Sequence, residues 1–214
     1  MEKKNTKNGK VLSVNVGGAR QFDYNGRTAR SAIWKFPVAG RVRVSGVNLE
    51  GDDQADRKAH GGPDKAVYAY AVEDYKWWQT QLDRPLQHAE FGENLTTEGI
   101  DVTSALIGER WKIGSVLLEV SEPRVPCWRL GVRMGDPRFP RRFTAAGRPG
   151  AYLRILMEGD LGAGDEIRVV AQPAHDVSIG DVFRIYTRDR NEAHRLLAVS
   201  EISDAWTRWA EDRV

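Results

Sequence analysis

Cysteine is nearly missing from this chain of 214 residues: Cys127 stands alone, so no disulfide can form within the chain and a reducing compartment is expected. Long apolar runs are missing as well. No stretch approaches the roughly 18 residues of a membrane span, and the charged start MEKKNTKNGK is not followed by an apolar run of signal-peptide length. These absences predict a soluble, cytoplasmic protein. There is no Walker-type phosphate loop, no GxGxxG after a strand, no GxSxG elbow, and no flavin, haem or iron–sulfur motif. The four histidines, His60, His88, His175 and His194, show with Cys127 none of the close spacings of a zinc site. Internal repeats and low-complexity segments are absent too.

What is present suffices for one sizeable domain, or one with a small appendage. The 32 basic and 30 acidic residues nearly balance, at a formal net charge of +2, but their distribution is uneven. Arg20, Arg27, Arg30, Lys35, Arg41 and Arg43 lie in one segment with Asp23 as its single acid, and eight arginines between Arg124 and Arg154 share theirs with Asp136 alone. Taken singly these are solvated surface charges. If the segments meet, they make a positive surface for phosphate or another anion, nucleic acid included.

Residues 10–170 read mainly as short β segments between turns. KVLSVNVGG, the Val42/Val44 pair alternating with Arg41/Arg43, VLLEVSEPR with Val116, Leu118 and Val120 on one face, and AYLRILMEGDLGAGDEIRVV are the clearest. Many short strands with glycine-rich turns predict a barrel or sandwich. DKAVYAYAVEDYKWWQTQL predicts a helix starting near Asp64, and Thr103 to Leu106 a short turn. After Pro173 glycine stops at Gly180 and three short amphipathic helices are predicted, capped by Ser178 or Asp181, Asp189 or Asn191, and Ser200 or Ser203. The expectation is therefore a mainly β protein with α: a barrel-like domain over 1–173 and a three-helix segment over 174–214.

Three segments concentrate chemistry. In AHGGPDKAVYAY the Gly61-Gly62-Pro63 turn separates His60 from Lys65 and can turn backbone N–H groups toward an anion. In FGENLTTEG, Gly92 permits close backbone approach, Glu93 is an acid/base candidate and Asn94 both donates and accepts. In EPRVPCWRL, Pro123 and Pro126 fix φ and bias Glu122 and Val125 toward extended backbone, so Cys127 sits on a pre-shaped segment beside Arg124 and Arg129, which favour a thiolate. The residues alone leave four roles open for Cys127: nucleophile, redox thiol, soft metal ligand, or inert buried thiol. The Arg-rich stretch 133–150 reads first as a solvated loop, with a substrate lid or a docking surface as alternatives.

The order HGGPDKAVYAY, FGENLTTEG, then WKIGSVLLEV running into SEPRVPCWRL resembles the MOSC domain family over about residues 10–170, closest to its stand-alone bacterial YiiM-type members, which also carry a three-helix tail. The resemblance implies a barrel-like fold binding a molybdopterin-type molybdenum cofactor, with Cys127 as the molybdenum ligand. It implies Gly61, Gly62, Lys65 and Arg124 toward the cofactor's phosphate and Asn94 toward its pterin, with Cys127, His60 and Glu93 as the catalytic set, the last two delivering protons. The implied activity is reduction of N-hydroxylated compounds, such as hydroxylaminopurine-type base analogues, to amines, with a separate electron-donor protein. Two competing readings are a cofactor carrier or sulfur-transfer protein using a Cys127 persulfide, and, least favoured, a nucleic-acid-binding module using the arginines. Trp206 and Trp209 could form a homodimer contact, although packing against the barrel is the expected use.

Overall fold

The computed structural model describes residues 8–55 and 61–214. Its strands in chain order are β1 (Asn8–Val16), β2 (Arg20–Tyr24), β3 (Arg27–Ser31), β4 (Phe36–Pro37), β5 (Arg41–Ser45), β6 (Asn48–Leu49), β7 (Val67–Ala71), β8 (Leu95–Glu98), β9 (Arg110–Ile113), β10 (Val116–Pro123), β11 (Ala151–Met157), β12 (Gly159–Gly162) and β13 (Glu166–Ala171). The helices are α1 (Val72–Leu82), α2 (Trp128–Met134), α3 (Phe139–Ala146), α4 (Ile179–Thr187) and α5 (Asp204–Glu211). Seven strands close into a barrel in the order β13-β9-β10-β11-β7-β8-β1, with β1 pairing back onto β13. Closure leaves no unpaired edge in this ring. Six of its neighbour pairs are antiparallel, and β7 and β8 are parallel, so α1 carries the chain across between them.

The alternation seen in the sequence is the barrel's inside and outside. Val42 and Val44 are buried between exposed Arg41 and Arg43, and Val116, Leu118 and Val120 are buried on β10. They join one continuous apolar cluster with Trp111, Leu153 and Ile167. Ile179, Val182, Leu196 and Trp206 of the C-terminal tail belong to the same cluster, with Trp209 packed against it. Barrel and tail thus share one core.

A second cluster is mostly aromatic and lies outside the barrel: Tyr70, Tyr75, Trp78 and Phe91 pack with Phe139 and Phe143. It explains two departures from expectation. The helix predicted from Asp64 is split, with a 3-10 turn over Pro63–Lys65, then strand β7, and only then α1. All five residues of β7 are buried, because one face meets the barrel core and the other the aromatic cluster, so no alternation marks it as a strand. The stretch 133–150 is not a loop but contains α3, which inserts Phe139 and Phe143, one helical turn apart, into the aromatic cluster and stops at Gly147 with φ 66°.

In the tail, Ser178 caps α4 through a full capping box with Asp181. The middle element, Arg190–Ala198, is a 3-10 helix that buries Ala193 and Leu196, three residues apart, as its three-residue turn requires. No helix among the described residues is long and apolar enough to cross a membrane.

Candidate functional site

Strand β10 delivers the site. It pairs with β11 through Glu122 opposite Tyr152 and Pro123 opposite Ala151, and the chain then leaves the sheet through Arg124, Val125 and Pro126 to reach Cys127, where α2 begins. Trp128, directly after, is stacked on Tyr24 of the β2–β3 hairpin with ring centroids 4.2 Å apart, and Arg129 lies over the same indole at 4.7 Å. The hairpin is thereby held beside the half-buried thiol. Cys127 borders two clefts, one on each side, which also share Lys65, Val125 and Tyr152.

The first cleft, about 720 Å3, is polar. Lys35, Asp52, Asn94 and Arg124 line it, all buried. Lys35 and Asp52 form an ion pair, and Asp52 also accepts from the Gly17 N–H at 2.9 Å and from Asn94 Nδ2 at 2.9 Å. Burial lowers the Lys35 pKa, with Asp52 acting against that shift. Arg124 is 7 % exposed; it donates to the Phe91 carbonyl and lies 5.0 Å over the Tyr68 ring. Burial opposes its charge, but Tyr68, Tyr152 and Cys127 interact with the guanidinium and hold its pKa above the ordinary arginine value. Burial pushes the Tyr152 hydroxyl up to about 12, against the pull of Arg124. Among the described residues no carboxylate pairs with Arg124; the groups around this buried cation are the Tyr68 and Tyr152 rings and Cys127.

The second cleft, about 760 Å3, lies between that segment and the tail. Its polar corner is the Lys65–Glu122 pair at 3.3 Å, where Ser203 from the tail also donates to Glu122 at 2.9 Å. Burial raises the Glu122 pKa, with Lys65 and Ser203 pulling the other way. Its walls are prolines and aromatic rings.

Of the residues expected from the sequence, Cys127, Lys65, Asn94 and Arg124 come together at the first cleft. The Asn94 amide is committed within the protein: Oδ1 accepts from the Tyr68 N–H at 3.1 Å, and Nδ2 reaches Asn15 O and Asp52. Neither Gly61 nor Gly62 lines the cleft, and the Gly62 N–H donates to Gln54 Oε1 at 2.9 Å. Glu93 is fully buried away from both clefts; its Oε1 accepts from Tyr75 Oη, Ala89 N and Thr96 Oγ1, at 2.6, 2.8 and 2.8 Å. Burial raises its pKa, against those hydrogen bonds. His60 lies outside the described residues.

The two basic segments meet at the first cleft, through Lys35 on one side and Arg124 and Arg129 on the other, but others of their arginines are paired with acids elsewhere. Arg41 pairs with Asp165, Arg148 with Asp74, and Arg154 with Asp64 and Glu119, acids that the chain brings from distant positions. Sequence reasoning missed Lys35, Asp52, Glu122 and Tyr152 as site residues. The available signal was Lys35 itself, a cation set between Ile33, Trp34 and Phe36 where a surface lysine would not be expected.

Among the described residues no group of three His, Cys, Asp or Glu could cage a metal ion. A metal held through Cys127 would therefore take its other donors from outside the described residues, and the soft sulfur suits a cofactor that brings its own ligands.

The model of the MOSC domain matches residues 56–168. An uncharacterised protein, YflK of Bacillus subtilis, is 34 % identical over 92 % of this chain and 90 % of its own length. A Gibberella moniliformis protein called reductase is 35 % identical over 90 % of this chain, which spans only 34 % of that longer protein. The crystal structure of YiiM from Geobacillus stearothermophilus superimposes with a TM-score of 0.80 at 28 % identity, covering 96 % of this chain and 98 % of that one.

Proposed function

Because the chain belongs to the MOSC domain family, we propose that it holds a molybdopterin-type molybdenum cofactor in the first cleft and reduces N-hydroxylated compounds, such as hydroxylaminopurine-type base analogues, to amines. The observation that carries this reading is Arg124, a buried guanidinium lining the cleft beside Cys127 with no carboxylate partner among the described residues. An anionic ligand would complete its charge, and a cofactor bearing phosphate and soft sulfur donors meets both the cation and the thiol.

The cofactor would supply a two-electron redox centre. The overall change is R–NHOH plus two electrons and two protons giving R–NH2 and water, with electrons from a separate donor protein. The chain's own residues do the rest. Cys127 offers sulfur from a segment whose φ angles are fixed by Pro123 and Pro126. Arg124 and Lys65 hold negative charge in the cleft, while the Lys35–Asp52 pair, tied to Asn94, keeps that wall rigid. Tyr152 borders both clefts with a hydroxyl that stays protonated, available as a donor. The proton role expected of Glu93 suits Glu122 better, since Glu122 borders the thiol's second cleft and burial keeps its carboxyl protonated to higher pH than usual. The similarity to a protein called reductase supports the reaction class.

The test is elemental analysis for molybdenum on wild type and Cys127→Ser, both made in a host that synthesises molybdopterin. Near-stoichiometric metal in the wild type and its loss in the variant are expected. No metal in either overturns the reading, and a persulfide on Cys127 without metal would establish sulfur transfer in its place.

A further inference from the structure

The second cleft is lined mainly by apolar and aromatic side chains. Tyr186 from α4 and Trp206 and Trp209 from α5 meet there as a three-ring cluster: Tyr186 is 5.2 Å from Trp206 and 5.3 Å from Trp209, and the two indoles are 5.9 Å apart. Pro123 and Pro126 form the facing apolar wall. Cys127 and the Lys65–Glu122 pair line the same cleft. A cavity with aromatic faces, rigid pyrrolidine rings and one polar corner selects a flat ring with a polar substituent and fixes which end enters first. Its volume, about 760 Å3 including the open mouth, admits a mono- or bicyclic heterocycle.

We propose that this tail-built aromatic cleft is the substrate compartment: the planar ring packs against Trp206, Trp209 and Tyr186, and its N-hydroxylated nitrogen points toward Glu122, Lys65 and the thiol. The inference rests on the reductase reading for the substituent but not for the ring, which the aromatic wall recognises by itself. It gives the C-terminal segment a role in specificity, separate from the barrel's role in holding the cofactor. Trp209 is the key contact, because it is only partly buried while Trp206 is part of the core.

The experiment needs no turnover. Purified wild-type protein, without metal loading, is titrated with adenine, the amine that a hydroxylaminopurine would yield, and tryptophan fluorescence is followed against an aliphatic amine as control. Saturable quenching by adenine alone is expected, weakened about tenfold or more in Trp209→Ala and largely kept in Trp209→Phe. Ala205, exposed at the start of α5 and lining the cleft, provides a variant that leaves no hole: Ala205→Leu fills the space and should abolish quenching. Molybdenum content should be the same in all three variants as in wild type. Adenine binding unaffected by Trp209→Ala and by Ala205→Leu would overturn the inference, as would absence of binding in a wild-type protein that retains molybdenum and reduces N-hydroxylated purines. Ring binding in a protein that retains no molybdenum would instead sink the reductase reading and leave the aromatic cleft standing as a ring-binding site.

Discussion

The two clefts that meet at Cys127 are built on opposite principles. The first is walled by buried ionised groups fixed by the barrel and its β2–β3 hairpin, the second by rings from a tail that adds no strand. Buried charge demands a rigid frame, since a misplaced ion loses its partners at a cost of several kcal/mol. Aromatic faces tolerate small displacements, because dispersion and hydrophobic contact have weak directionality. A barrel closed on itself suits the first task, and short helices docked by apolar contacts suit the second. On the proposed reading, one thiol served from both sides would let a fixed chemical centre coexist with a separately adjustable selection surface.

The sharpest way to break this contrast is within the polar cleft. Lys35→Met strands Asp52, buried with a 2 % exposed side chain, and should destabilise the protein by about 3 kcal/mol or more in urea unfolding. Adding Asp52→Asn should recover much of that loss. Arg124→Met leaves no carboxylate behind, so unfolding of the metal-free protein should shift by about 2 kcal/mol, the worth of a charged donor's bond to the Phe91 carbonyl. Molybdenum retention should nevertheless fall, while adenine quenching in the other cleft persists. An equal loss from both substitutions would show that the two cations do not differ as the structure indicates. The smallest effect concerns Glu93, whose carboxyl is held above its ordinary pKa by burial. A carboxyl raised on folding stabilises the native state below its unfolded pKa, and that contribution is lost as pH rises through the folded value. Glu93→Gln should therefore flatten the decline in stability as pH rises above about 4, whatever constant offset its amide brings. Parallel curves for wild type and variant would sink this account.

The barrel was legible where one face of a strand is wet. Val42, Val44, Val116, Leu118 and Val120 alternate with polar residues and were assigned to strands correctly. Strand β7 was not, since both its faces are buried and a run such as VYAYA fits a helix equally well. In α3 the apolar residues Phe139 and Phe143 carried a helical spacing, but five surrounding arginines drew attention to charge. Cys127 and Arg124 were legible as a proline-framed thiol and its cation. That Arg124 is buried while Arg138, Arg141 and Arg142 are exposed was not, because burial depends on which strand passes beneath, and the sequence does not show that. Glu122 and the aromatic cleft were hidden for a related reason: Lys65 on one side, and Ser203 and Trp209 of the tail on the other, come from two distant parts of the chain.

Closure of the barrel has a consequence for how the protein comes into being. Strand β1, made well before β13, completes its pairing only with it, and the side chain of Asn8 bonds Glu166 across 158 residues. During synthesis the apolar side of β1 must wait, uncovered along the edge that β13 will occupy, until most of the chain has left the ribosome. Loop closure over such a separation is slow, and open strand edges invite wrong partners. Closing the ring thus requires the arrival of a late strand beside an early one, and a chain halted before residue 166 would keep an open, adhesive edge.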